Sequence, residues 1–250
     1  ASMSMELSNQ KKLSEFYEEL KRLNIEIVRP DINKCFSDFT SNGKQFFYAL
    51  GAIKNVGYEA ISNIVKERET NGEYKNLSDF IKRVDPKDIN KLQLEGLVRA
   101  GAFDNLNDNR QSIYNYIPNI ILKSKNNFEN KQANQFDLFD DKLSNEEIIL
   151  DDIEDWNIDI RLTKEFETLG FYISDHPLNQ YKSIFDQYNI VSYDNFQNDE
   201  NLLSSNIACT ILKTQEKKTQ KGTSYAIIKF SDLNSVFELF VFSDIFEINR

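Results

Sequence analysis

Apolar residues recur every three or four positions through most of this 250-residue chain, and from Ile207 onward they recur every second position. The first spacing keeps one face of an α-helix apolar, and the second does the same for a β-strand. The chain therefore reads as mainly α with a C-terminal β part. Residues 13–23 place Leu13, Phe16, Tyr17, Leu20 and Leu23 on one helical face. Ile25, Ile27 and Val28 then alternate up to Arg29-Pro30, a short extended segment closed by a turn. Helical spacing returns over residues 58–69, 77–84, 89–100 and 111–125, the last interrupted by Pro118, and again over 159–169, which stops at Gly170. A further helix is expected after Ser174 or Asp175 as cap, with Pro177 near its first position. Strand alternation covers 207–215, 224–233 and 236–244, separated by a basic loop and a tight turn. Three strands make a poor sheet by themselves, so the chain is expected to stop inside a domain.

Composition removes several classes of function. No apolar run approaches the roughly 18 residues of a membrane span. Residues 1–10 have neither the basic nor the apolar stretch of a signal peptide, which points to the cytoplasm and to no membrane partner. Cys35 and Cys209 cannot make a disulfide framework or a four-cysteine zinc module, and the single histidine, His176, excludes chemistry built on a histidine cluster. The net charge of −10 is unevenly spread: residues 128–167 hold 13 acidic and 4 basic residues, whereas residues 44–99 hold 8 acidic and 10 basic. The acidic stretch reads as a solvated linker, and the near-neutral one leaves room for a phosphate-binding surface.

Two turns in the helical part have the composition of phosphate-binding corners. Lys54, Asn55, Val56 and Gly57 precede a helix, the pattern of a helix-hairpin-helix element in which backbone N–H groups face a phosphate without reading sequence. Asn55 stands where the usual pattern has its first glycine, and asparagine tolerates a positive φ better than most residues. A second turn at residues 97–104, with Ala100 and Gly101 at its tip, would complete a tandem. The first turn also reads as an ordinary packing corner between helices. In the β part, Lys213, Lys217, Lys218 and Lys221 crowd the loop between the first two strands, with Tyr225 just beyond. Single-stranded nucleic acid needs that mixture of cations and aromatic surface, although aromatics at alternate strand positions also build cores. The remaining candidate is Gln135, Phe136, Asp137, Leu138 and Phe139. Leu and Phe in a polar stretch have no core of their own, and suit a short motif anchored in a partner's pocket or a local hydrophobic staple to the neighbouring helices.

QFDLF at 135–139 is similar to the pentapeptide by which bacterial replication proteins bind the ring-shaped sliding clamp. LSEFYEELKRLNIEIVRPDIN at 13–33, FYALGAIKNVG at 47–57, LEGLVRAGAFD at 94–104 and ETLGFYISDHPL at 167–178 carry a wider resemblance. In order and spacing they resemble the family of bacterial DNA polymerase III alpha subunits, the replicative C-family polymerases, from the end of the fingers domain into the OB domain. The resemblance implies the end of the fingers over 1–43 and a tandem helix-hairpin-helix DNA-binding domain over 44–125. It further implies an acidic linker with the clamp-binding motif over 126–158, a helical connector over 159–200 and an incomplete OB fold over 201–250.

The function so implied is part of a DNA-directed DNA polymerase that binds the sliding clamp and template-primer DNA, beside other holoenzyme subunits, to make synthesis processive. The palm carboxylates and the Mg2+ they hold would lie before residue 1, so no catalytic residue, metal ligand or cofactor is expected in the chain itself. A free-standing, non-enzymatic adaptor for clamp and DNA, or an alpha-type polymerase of damage tolerance, would carry the same motifs.

Overall fold

The computed structural model describes residues 2–132, 148–220 and 222–249. The chain divides into two compact units, Ala1–Ser174 and Asp175–Arg250.

In the first unit, α1 (Gln10–Arg22) starts where the Asn9 side chain accepts from the Lys12 N–H, and buries Leu13 and Tyr17. Lys21 and Arg22 sit in its last turn, where cations meet the negative end of the helix dipole. β1 (Glu26–Val28) pairs in parallel with β3 (Gln45–Phe47), which pairs antiparallel with β2 (Thr40–Ser41), a small sheet of order β1-β3-β2. Next come α2 (Tyr58–Asn71), α3 (Leu77–Arg83) and α4 (Lys91–Arg99). Asn76 and Asn90 cap the last two by accepting from the Asp79 and Gln93 amides.

α5 (Arg110–Gln132) differs from its expectation in two ways. It runs through Pro118 and continues beyond residue 125 into the expected linker. A proline removes one helical N–H and crowds the preceding turn, but Ile113, Ile117 and Ile120 on one face are all buried, and that packing keeps the helix intact. Residues 148–157 also depart from a solvated linker, because their polar groups find partners on α3 and α5. The Ile148 N–H donates to Ser78 Oγ (2.9 Å), Asn109 Nδ2 donates to the Ile153 carbonyl (2.6 Å) and the Gln111 N–H donates to the Asp155 carboxylate (2.9 Å). Asn157 then caps α6 (Ile158–Leu169), which ends at Gly170 with φ +88°.

One core serves this whole unit. Leu13, Ile32 and Tyr48 belong to the same buried cluster as Ile61, Phe80, Leu97, Ile117 and Leu169, so the segments expected as fingers end and hairpin domain are packed as one. Buried Arg68 ties them further, donating to the carbonyls of Ile32 and Cys35 at 2.7 Å each.

The second unit opens with a 3-10 helix, Pro177–Ile184, in place of the expected α-helix. Its cap is His176, whose Nδ1 accepts from the Leu178 N–H (3.2 Å), and not Ser174 or Asp175. After α7 (Tyr193–Asn198), β4 (Thr210–Lys218), β5 (Ser224–Ser231) and β6 (Val236–Val241) form an antiparallel sheet in sequence order, followed by α8 (Ser243–Asn249). The Asp232 carboxylate closes the β5–β6 turn by accepting from the Asn234 and Ser235 amides. Tyr193 stacks on buried Phe237 at 3.9 Å, and the half-buried Phe230 stacks on the same ring at 5.6 Å. The arrangement is mainly helical with a C-terminal three-stranded antiparallel meander, consistent with part of an OB fold.

Candidate nucleic-acid interface

The first turn is built by two anchors and an exposed tip. Ile53 and Val56 are buried and hold the turn on the core, while Lys54, Asn55 and Gly57 are exposed. Asn55 has φ +66°, the left-handed conformation its side chain tolerates. Gly57 is the N-cap of α2 and offers no side-chain cap. The Tyr58, Glu59 and Ala60 amides therefore lack a capping acceptor from that residue and have no intrahelical partner. Among the described residues, the Asn55 and Gly57 amides also take no acceptor. Not every amide of the turn is available. The Val56 N–H donates to the Ile53 carbonyl (3.0 Å) and the Lys54 N–H to the Thr168 carbonyl (3.2 Å). Val56 is thus a core residue of the site, and Lys54 enters it by its side chain alone.

The second turn is closed. The Gly101 N–H donates to the Val98 carbonyl and the Ala102 N–H to the Leu97 carbonyl (3.0 and 2.9 Å), the paired bonds of a Schellman C-cap, which is why Gly101 sits at φ +78°. The Ala100 amide is bonded to the Gly96 carbonyl, and both Ala100 and Gly101 are buried. Arg110 lies over Gly101 and donates to both oxygens of Asp104 (2.8 and 2.7 Å) and to the Arg99 carbonyl (3.2 Å). Burial opposes the charge on Arg110, but the Asp104 hydrogen bonds and the charges of Asp104, Glu165 and Asp155 outweigh it and raise its pKa above the usual value. Ala100 and Gly101 therefore offer no amide to a phosphate, and this turn is a packing corner.

Gly96, unremarked in the sequence, explains how the two turns fit. A Cβ there would lie 2.8 Å from the Lys54 carbonyl oxygen and 3.1 Å from Val56 Cγ2, so the bare backbone of α4 lets the first turn rest on it. An isolated glycine inside a helical pattern is the available signal for such close approach.

In the β-sheet, register sorts the expected cations. Lys213 pairs with Lys229 and Lys217 with Tyr225, while Ile227 lies between them and opposes Phe240, all on one face. Lys218 pairs with Ser224 and points to the other face, with Ala226. Lys229 was not singled out, although its spacing of four from Tyr225 on a strand implies the shared face. Lys221 and the pentapeptide Gln135, Phe136, Asp137, Leu138 and Phe139 lie outside the described residues. No helix among the described residues is long and apolar enough to cross a membrane.

Residues 24–113 match the family described as the helix-hairpin-helix motif. The chain is similar to the DNA polymerase III subunit alpha of Caulobacter vibrioides, with 32% identity over 96% of this chain and 21% of that protein. It is likewise similar to the subunit of the same name from Borreliella burgdorferi (32%, covering 100% of this chain and 22% of that protein). The corresponding subunit of Neisseria meningitidis is 37% identical over 72% of this chain and 16% of its own length. The chain spans about a fifth of the length of the curated relatives it matches.

Proposed function

Because the chain belongs to the family of DNA polymerase III alpha subunits, we propose that it is a DNA-holding segment of a replicative DNA-directed DNA polymerase, gripping duplex through its sugar-phosphate backbone at the first hairpin. The observation that carries this reading is the uncapped start of α2, with the exposed Lys54, Asn55 and Gly57 before it. Free amides at the positive end of a helix, with a lysine beside them, suit an anionic oxygen and read no base. Among the described residues there is no group of three or more His, Cys, Asp or Glu side chains placed to hold a metal ion.

Two further contacts complete the proposal. Lys213, Lys217, Tyr225 and Lys229 on one sheet face suit a single strand, by phosphate neutralisation and base stacking. The Gln135–Phe139 pentapeptide suits the sliding clamp, which with the other holoenzyme subunits is the expected partner. Replacing Leu138 and Phe139 together by alanine is expected to abolish calorimetric binding to the species' own clamp, since each large apolar group is worth about 1.5 to 3 kcal/mol when buried. Undiminished binding removes the motif from the account.

Fluorescence anisotropy with two duplexes of unrelated sequence tests the hairpin reading. Equal affinities are expected, falling with salt by about 0.9 in log K per decade for each phosphate neutralised. Lys54→Glu should weaken both duplexes alike. Binding that ignores salt, or that Lys54→Glu leaves unchanged, overturns the assignment.

A further inference from the structure

Beside the hairpin, two cations share one aromatic ring. The Arg99 guanidinium lies 5.3 Å from the Tyr114 ring centre and the Lys164 ammonium 5.5 Å from it, while Lys164 is also 4.5 Å from the ring of Trp156. Tyr114 and Trp156 pack edge to face at 5.4 Å, and Arg99 Nη2 donates to the Tyr114 hydroxyl (2.8 Å). Both positive groups are thereby fixed in place instead of swinging in solvent.

Their countercharge is thin. The carboxylates of Glu95 and Glu167 approach Arg99 only to 3.9 Å, and Arg99 Nε is buried without an acceptor. Asp155 is engaged by Arg161 (3.1 Å), and Lys164 makes no ion pair among the described residues. Two cations within 5.5 Å of one ring centre raise the positive potential around it, which favours an anion.

The cluster also adjoins the hairpin's main chain from two directions. Lys54 donates its N–H to Thr168, one helical turn beyond Lys164 on α6. Its carbonyl rests on Gly96, one turn before Arg99 on α4. A turn advances about 5.4 Å, so each cation lies about one helical turn from a residue that touches the Lys54 main chain.

We propose that Arg99 and Lys164 form a second phosphate contact for duplex DNA, extending the grip of the first hairpin along the same backbone. This rests on the hairpin reading above. The nearby Glu95 and Glu167 discourage a free anion, so the site favours a phosphate delivered by a backbone already held at Lys54.

Trp156 is the only tryptophan of the chain, which gives the site its own reporter. Titrating the whole chain with duplex is expected to change Trp156 emission with the midpoint seen by anisotropy. Lys164→Gln should abolish that change and reduce the salt slope by about 0.9, the value of one phosphate, and Lys164→Arg should restore the slope. Removing the exposed carboxylate, by Glu167→Gln, should tighten binding severalfold, which keeps the test informative if Lys164→Gln loosens the fold. If Lys54→Glu weakens binding while Lys164→Gln keeps the full slope and Glu167→Gln binds no tighter, the second contact is wrong and the hairpin reading stands. If none of the variants changes binding, both fail. An equal emission change with inorganic phosphate at matched ionic strength marks a free-anion site and overturns the proposal.

Discussion

Arg110 decides what the second turn can do. It fills the space over Gly101 and neutralises Asp104 at 2.7 Å, with the wholly buried Glu165 at 3.9 Å. Removing its charge strands a buried carboxylate, so Arg110→Gln is expected to cost about 3 to 5 kcal/mol in urea unfolding. A loss under 1 kcal/mol would show that the pair is not structural. Cys35 gives a second test. Burial pushes its thiol from 9.0 to about 12. Below pH 9 the thiol is protonated in both states and contributes no pH dependence. Between about pH 9 and 12 the unfolded chain releases that proton and the folded one keeps it, so stability falls by up to about 1.4 kcal/mol per pH unit. Cys35→Ala should remove that part of the alkaline slope, and unchanged slopes contradict the burial argument. The left-handed Asn55 was legible in advance, since it stands where the pattern has a glycine and asparagine tolerates a positive φ. The Arg110 plug was not, because nothing in LVRAGAFD reports that a side chain nine residues beyond Gly101 folds back over it.

The helices and strands followed from apolar period, because burial of one face is what selects them. Element ends and breaks were less legible where a tertiary contact wins. Pro118 reads as an interruption, but three buried isoleucines hold α5 through it. The acidic run 148–157 reads as solvated, but backbone groups on both sides find partners on α3 and α5. An α-helix at Pro177 reads from its cap pattern, but the His176 side chain starts a tighter 3-10 turn. Gly96→Ala must push the Lys54 carbonyl away from 2.8 Å, at a cost of about 1 to 3 kcal/mol, typical of overpacking. Duplex affinity should fall with it, because the displaced segment is the hairpin itself. Thermal melts and anisotropy on the same variant check the pair, and lost stability with unchanged affinity would detach the turn from DNA.

For the whole chain, class and order along the chain were legible: a helical part, an acidic stretch and three C-terminal strands. The shared core of residues 1–48 with the hairpin region was not, because period reports which face is buried and not against what. The same limit applies to the sheet, where alternation separates Lys218 from Lys213 and Lys217, but only register shows that Lys213 and Lys217 face Lys229 and Tyr225. One turn of the apparent tandem is proposed to hold phosphate, and the other is closed. Backbone amide chemical shifts of the whole chain, followed during titration with a duplex of arbitrary sequence, test it most directly. The largest changes are expected at Asn55 and Gly57 and in the first turn of α2, with Ala100, Gly101 and Ala102 unmoved. Shifts concentrated at Ala100–Ala102, with Asn55 and Gly57 silent, would contradict the account.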